Sequence, residues 1–99
     1  MPDSPQDTLS VADHPERMRY EVHVADKLAG FTQYQRHGSQ IVFTHTEIDD
    51  AFEGQGLGGK LAKGALDDAR SRGLRVVAQC EFIAGWIERH PDYVDLVDD

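Results

Sequence analysis

Three β-patterned runs lie between Met18 and Ile48, with only a few turn residues between one run and the next. Connections that short cannot carry a crossover, so neighbouring strands must run antiparallel. In the first run, Met18, Tyr20, Val22 and Val24 alternate with Arg19, Glu21 and His23, the pattern of a strand with one buried face. Asp26-Lys27 turns the chain into a second run, Leu28 to Gln35, which contains Phe31 and Tyr34. His37-Gly38-Ser39 turns it again into Gln40 to Ile48, rich in β-branched residues. Ahead of this meander, Thr8 to Ala12 fits a short edge strand closed by the turn Asp13-His14-Pro15-Glu16. Residues 1–7, with Pro2 and Pro5, read as a disordered tip. Residues 8–99 then form one domain, large enough for a single modest core without a metal or disulfide staple.

Behind the third strand, Asp49 to Glu53 is a short acidic connection, and four glycines follow within six positions: Gly54, Gly56, Gly58 and Gly59. A glycine inside a helix costs roughly 1 kcal/mol relative to alanine. The cluster therefore marks a place where something approaches the backbone closely. Leu57, Leu61, Ala62, Ala65, Leu66 and Ala69 then repeat at helical spacing, with Arg70 and Arg72 at the negative end and Gly73 as the stop. Leu74 to Gln79 is a mostly apolar strand. A strand, helix, strand order brings it back parallel to the third strand by a right-handed crossover. A second helix covers Glu81 to Arg89, with Phe82, Ile83, Trp86 and Ile87 on one face, and Pro91 opens a last turn. The fold class is α+β: a mainly antiparallel sheet with one βαβ crossover and two helices packed on it.

Ten basic residues against eighteen acidic ones give a formal charge of −8. That balance disfavours nucleic acid, whose phosphates need a basic face, and suits a cationic partner such as an amine or a lysine-rich peptide. The lone Cys80 excludes an internal disulfide, and no Cys/His spacing matches a zinc site, so no metal is expected. No apolar run reaches the length of a membrane span and no signal-peptide core is present, which points to a soluble, cytoplasmic protein.

The glycine turn satisfies three phosphate-binding patterns. Gly54, Gly56 and Gly59 spell G-x-G-x-x-G, with Glu81 placed where a ribose-binding acid would stand. Several residues separate the preceding strand from Gly54, however, and an antiparallel meander comes first. Gly54 to Lys60 also spells G-x-x-x-x-G-K, but Leu61 stands where a P-loop needs a hydroxyl for magnesium.

The third pattern fits best. Glu53-Gly54-Gln55-Gly56-Leu57-Gly58 resembles the Q/R-x-x-G-x-G/A loop of the GNAT N-acetyltransferase superfamily, departing at Glu53, where the superfamily usually has Gln or Arg. Phe43-Thr44-His45-Thr46-Glu47-Ile48, Cys80-Glu81-Phe82-Ile83 and Arg89-His90-Pro91-Asp92-Tyr93 are similar to further blocks of a minimal, stand-alone branch of that superfamily. The resemblance spans roughly Tyr20 to Val97.

It implies acetyl-coenzyme A as cofactor, with the pyrophosphate held by backbone N–H groups of Gly54, Gln55, Gly56, Leu57, Gly58, Gly59 and Lys60. It also implies acetyl transfer to an amine of a small molecule or peptide. The backbone around Ile48, between Glu47 and Asp49, would meet the thioester carbonyl, where negative charge develops. Cys80 would stand near the cofactor thiol, to pack against pantetheine, accept the acetyl group or protonate the leaving thiolate. His45 and Glu47 are two apart on a strand and so share a face, read here as the face of Ile41 and Phe43. Either could take the amine proton, and histidine is the side chain that titrates nearest neutrality. A rival reading is a coenzyme A-binding or interaction module without catalysis.

Overall fold

The computed structural model describes residues 9–98. The expected tip at 1–7 lies outside the described residues, as does Thr8. Strands β1 (Leu9–His14), β2 (Arg19–Val24), β3 (Lys27–His37) and β4 (Gln40–Ile48) form an antiparallel meander. Helix α1 (Leu57–Ser71) crosses over to β5 (Arg75–Ala78), which pairs parallel to β4 and completes a five-stranded sheet in chain order. Helix α2 (Glu81–Arg89) and a 3-10 segment, Pro91–Leu96, follow, and Val97 bridges to Val76 along the free edge of β5. No helix among the described residues is long and apolar enough to cross a membrane.

Both helices join one apolar cluster with a single face of the sheet. Tyr20, Val22, Tyr34, Ile41 and Phe43 supply the sheet side, Leu61, Ala62, Ala65 and Leu66 the α1 stripe, and Ile83, Trp86 and Ile87 the α2 side. The stripe expected from helical spacing is the buried one because those positions recur on one side of a 3.6-residue turn. Gly73, at φ 72°, ends α1 in the left-handed conformation that glycine tolerates best.

Two expectations for β2 need correction. Met18 does not share the buried face: it sits before the strand at φ 55° and is 47% exposed, as the 3-10 turn Pro15–Arg17 feeds into β2. The edge strand also runs on to His14 instead of stopping at Ala12. Glu21, read as part of the polar face, is 1% exposed. It does lie on the helix-free side, but Arg17 and Arg19 close over it, donating to Oε2 at 3.0 and 2.7 Å. Long cationic side chains cover surface with their stems, which alternation alone does not register.

The C-terminal segment is pinned to α1. The Tyr93 hydroxyl donates to Asp67 Oδ1 at 2.7 Å, and Lys63 Nζ donates to Asp67 Oδ2 at 2.8 Å. Partial burial works against ionisation of Asp67, but the hydrogen bonds from Lys63 and Tyr93 and the charges of Lys63 and Arg70 outweigh it and hold the carboxyl below its ordinary 3.8. A folded-state pKa below the unfolded one stabilises fully above the unfolded value, and that contribution drains away as pH falls through the folded value. Asp67→Asn should therefore be less stable than the native chain near neutrality, with the gap narrowing as pH falls below the ordinary aspartate range. Urea denaturation across an acid pH series measures this.

Candidate functional site

Strand β4 changes face part-way along. Tyr34 pairs with Phe43 but Gln33 pairs with His45, so Thr44 is an extra residue in β4, a β-bulge. One inserted residue inverts the alternation that follows. Ile41 and Phe43 face the helices, and beyond the bulge Thr46 and Ile48 do so. The shared face expected for Ile41, Phe43, His45 and Glu47 is thus overturned: His45 and Glu47 stand on the opposite, helix-free face. They do meet each other, His45 Nε2 lying 2.8 Å from Glu47 Oε2, with 52% and 62% of the side chains exposed. Thr44 carries no glycine-like signal from which the bulge could be read.

The same part of β4 loses its parallel neighbour. Pairing with β5 ends at Phe43↔Ala78. The Phe43 carbonyl then accepts from both Gln79 N–H and Cys80 N–H, each at 3.0 Å, as the chain turns away into α2. The edge of β4 from Thr46 to Ile48 is left without a strand partner on that side among the described residues. Cys80, buried at the N-terminus of α2, lies at the apex of the split. Its Sγ is 3.0 Å from Thr46 Oγ1, and Thr46 Oγ1 is 2.9 Å from Thr32 Oγ1. Thr46 and Thr32 escaped the sequence reading, because only the bulge turns Thr46 toward the cysteine.

The four glycines divide into two pairs. Gly54 and Gly56 adopt φ of 84° and 74°, and a Cβ at either would meet nothing within 4 Å. They bend the chain into α1 and leave its backbone uncovered. Gly56 is the N-cap and offers no side-chain bond, and the first intrahelical N–H is that of Lys60, to the Gly56 carbonyl at 3.3 Å. The amides of Leu57, Gly58 and Gly59 therefore have no helical partner, a feature that suits an anion. The Lys60 amide is already engaged, which leaves only its exposed side chain for a ligand. Gly58 serves packing instead: a Cβ there would lie 2.8 Å from the Phe82 ring, so its absence lets α2 approach α1. Gly59 faces Trp86, with a Cβ position 3.6 Å from the indole nitrogen. Glu53 is exposed, and nothing in the structure explains a glutamate there.

An uncapped helix N-terminus beside a parted strand pair offers a long ligand two handles, amides for its phosphates and a strand edge for an extended arm. The sequence profile of the GCN5-related N-acetyltransferase family matches residues 19–96. The chain belongs to that family. Among curated relatives, it is 37% identical to Protein NATD1 of Bos taurus over 59 residues, 59% of this chain and 52% of that one. It is 36% identical over the same length to Protein NATD1 of Homo sapiens. The match spans about half the length of these relatives. Among solved structures, a GCN5-like protein of Staphylococcus aureus superposes with a TM-score of 0.70 at 24% identity, covering 92% of this chain and 89% of that one. Ard1 of Thermoplasma volcanium superposes with a TM-score of 0.53 at 20% identity, covering 60% and 41%. At such identities these likenesses speak for the fold, a mixed sheet with two main helices.

The division of the glycines is testable by substitution. Gly58→Ala drives a methyl into the Phe82 ring and should destabilise the fold by about 1–3 kcal/mol. Gly56→Ala meets no atom but retains a positive φ, at a cost of roughly 1–2 kcal/mol. Denaturant unfolding reads both, and only Gly58→Ala should be rescued by Phe82→Leu.

Proposed function

We propose that the chain binds acetyl-coenzyme A along the split between β4 and β5 and transfers the acetyl group to an amine. The observation that carries this reading is the coincidence of the uncapped α1 N-terminus, the unpaired β4 edge and Cys80 in a GCN5-related N-acetyltransferase. The amides of Leu57, Gly58 and Gly59, with those of the preceding Gly54, Gln55 and Gly56, hold the pyrophosphate, and the Lys60 side chain adds charge. When bound, the cofactor supplies a thioester-activated acetyl group. The β4 edge at Ile48 orients the acyl end and helps to exclude water.

The two sets of ionisable groups approach that edge from opposite faces. His45, backed by Glu47, takes the proton from the attacking amine. Cys80, hydrogen-bonded to Thr46, returns a proton to the departing thiolate. Glu47, Asp49, Asp50 and Glu53 crowd the approach with negative charge, and the whole chain carries −8. The favoured acceptor is therefore a cationic amine, either a polyamine or a lysine side chain. A second reading, coenzyme A binding without turnover, draws on one observation. β1 joins β2 through a 3-10 turn of three residues, so no helix stands there to wall the open face beside His45.

Thermal denaturation with acetyl-coenzyme A, NAD and ATP tests the cofactor. Acetyl-coenzyme A at a hundred times its Kd should add about 2.7 kcal/mol and the other two should add nothing. Equal, negligible shifts for all three would sink the proposal. Mass spectrometry of spermidine and a lysine-rich peptide then separates enzyme from binding module. Cys80→Ala should lower kcat by about 10²–10⁴-fold with cofactor binding retained. Undiminished turnover removes Cys80 from the proton path.

A further inference from the structure

On the helix-free face, across the sheet from β4 on β1 and β2, two imidazoles converge on one buried carboxylate oxygen. Glu21 Oε1 lies 3.4 Å from His14 Nε2 and 3.5 Å from His23 Nε2. The three donor atoms all fall within 4.8 Å of one another. We propose that His14, Glu21 and His23 form a binding site for a divalent transition metal of the zinc class.

Direct ion pairing explains the distances poorly. A charge-assisted N–H···O bond from imidazolium to carboxylate closes to about 2.7–2.9 Å. Separations of 3.4 and 3.5 Å instead suit donors that share one ion at about 2.0–2.2 Å from each. The ligand set, two imidazole nitrogens and one carboxylate oxygen, is the borderline type that zinc and its first-row neighbours take.

The surroundings orient the donors. His14 Nδ1 lies 3.3 Å from Glu16 Oε2, so it donates outward and leaves the Nε2 lone pair pointing at Glu21. This carboxylate–histidine arrangement is the usual support behind a metal ligand. The other oxygen of Glu21 is taken by Arg17 and Arg19, which leaves Oε1 alone to face the imidazoles. The guanidinium charges oppose a dication, so affinity should fall short of a closed four-ligand site. His14 ends β1, whereas Glu21 and His23 belong to β2, so the ion would fasten the edge strand to the sheet. The partly exposed rings leave coordination positions open to water.

The test is calorimetric titration of the metal-stripped full chain with zinc chloride, paired with the visible absorption of cobalt(II) as a probe of nitrogen–oxygen coordination. One equivalent should bind, with a rise in Tm. The side chains of His14 and His23 are 31% and 27% exposed, so alanine at either should leave the fold intact by circular dichroism while abolishing uptake. Glu16→Gln should weaken binding about 10-fold, and His45→Ala, which alters the separate His45–Glu47 pair, should leave it unchanged. No uptake of zinc or cobalt by the native chain, or one-equivalent uptake that survives both His14→Ala and His23→Ala, would overturn the site. Neither outcome bears on acetyl-coenzyme A binding.

Discussion

A single backbone acceptor sets the layout of the site. The Phe43 carbonyl takes two N–H groups, from Gln79 and Cys80, at the point where β5 leaves the sheet. A carbonyl has two lone pairs, so it can end a ladder in this way without leaving either donor unsatisfied. Once that happens, β4 has no partner toward β5, and the next residue, Thr44, is the bulge that inverts its face. Divergence and inversion occur within one residue of each other. Together they expose a strand edge, bring Thr46 to Cys80, and send His45 and Glu47 to the far side.

The glycine turn supports the same arrangement from below. Gly54 and Gly56 permit the left-handed bend that leaves the first amides of α1 without helical partners. Gly58 lets α2 lie close enough for Phe82 to pack on the first turn of α1, whereas a Cβ at Gly59 would make only ordinary contact with Trp86. The N-termini of both helices, one with free amides and the other with Cys80, are consequently held beside one parted strand pair. The cluster looks uniform in sequence, yet it answers two separate steric demands.

The uncovered face of the sheet is chemically richer than a solvated surface. Arg19 caps the Phe31 ring at 4.5 Å, and Glu21 is buried beneath a ring of basic side chains. A carboxylate so deep survives only with its charge compensated, and Arg17 and Arg19 supply that compensation. The polar residues of β2 thus do structural work that amphipathic alternation assigns to apolar ones.

The order of elements, the antiparallel meander, the parallel return of β5 and the apolar stripe of α1 were legible in the residues themselves. Each follows from local periodicity and connection length, which are properties of the chain. Family membership was legible too, through short blocks carried in sequence around Gly56, Cys80 and Pro91. The β4 bulge was not legible, because Thr44 is an ordinary strand residue whose extra position exists only relative to β3. The face of His45 and Glu47 and the Thr32–Thr46–Cys80 chain were hidden for the same reason, and the burial of Glu21 because alternation does not register the Arg17 and Arg19 side chains that cover it. Periodicity sets which residues alternate; pairing between strands decides where the alternation slips, and His45, Thr46, Glu47 and Cys80 stand where it does.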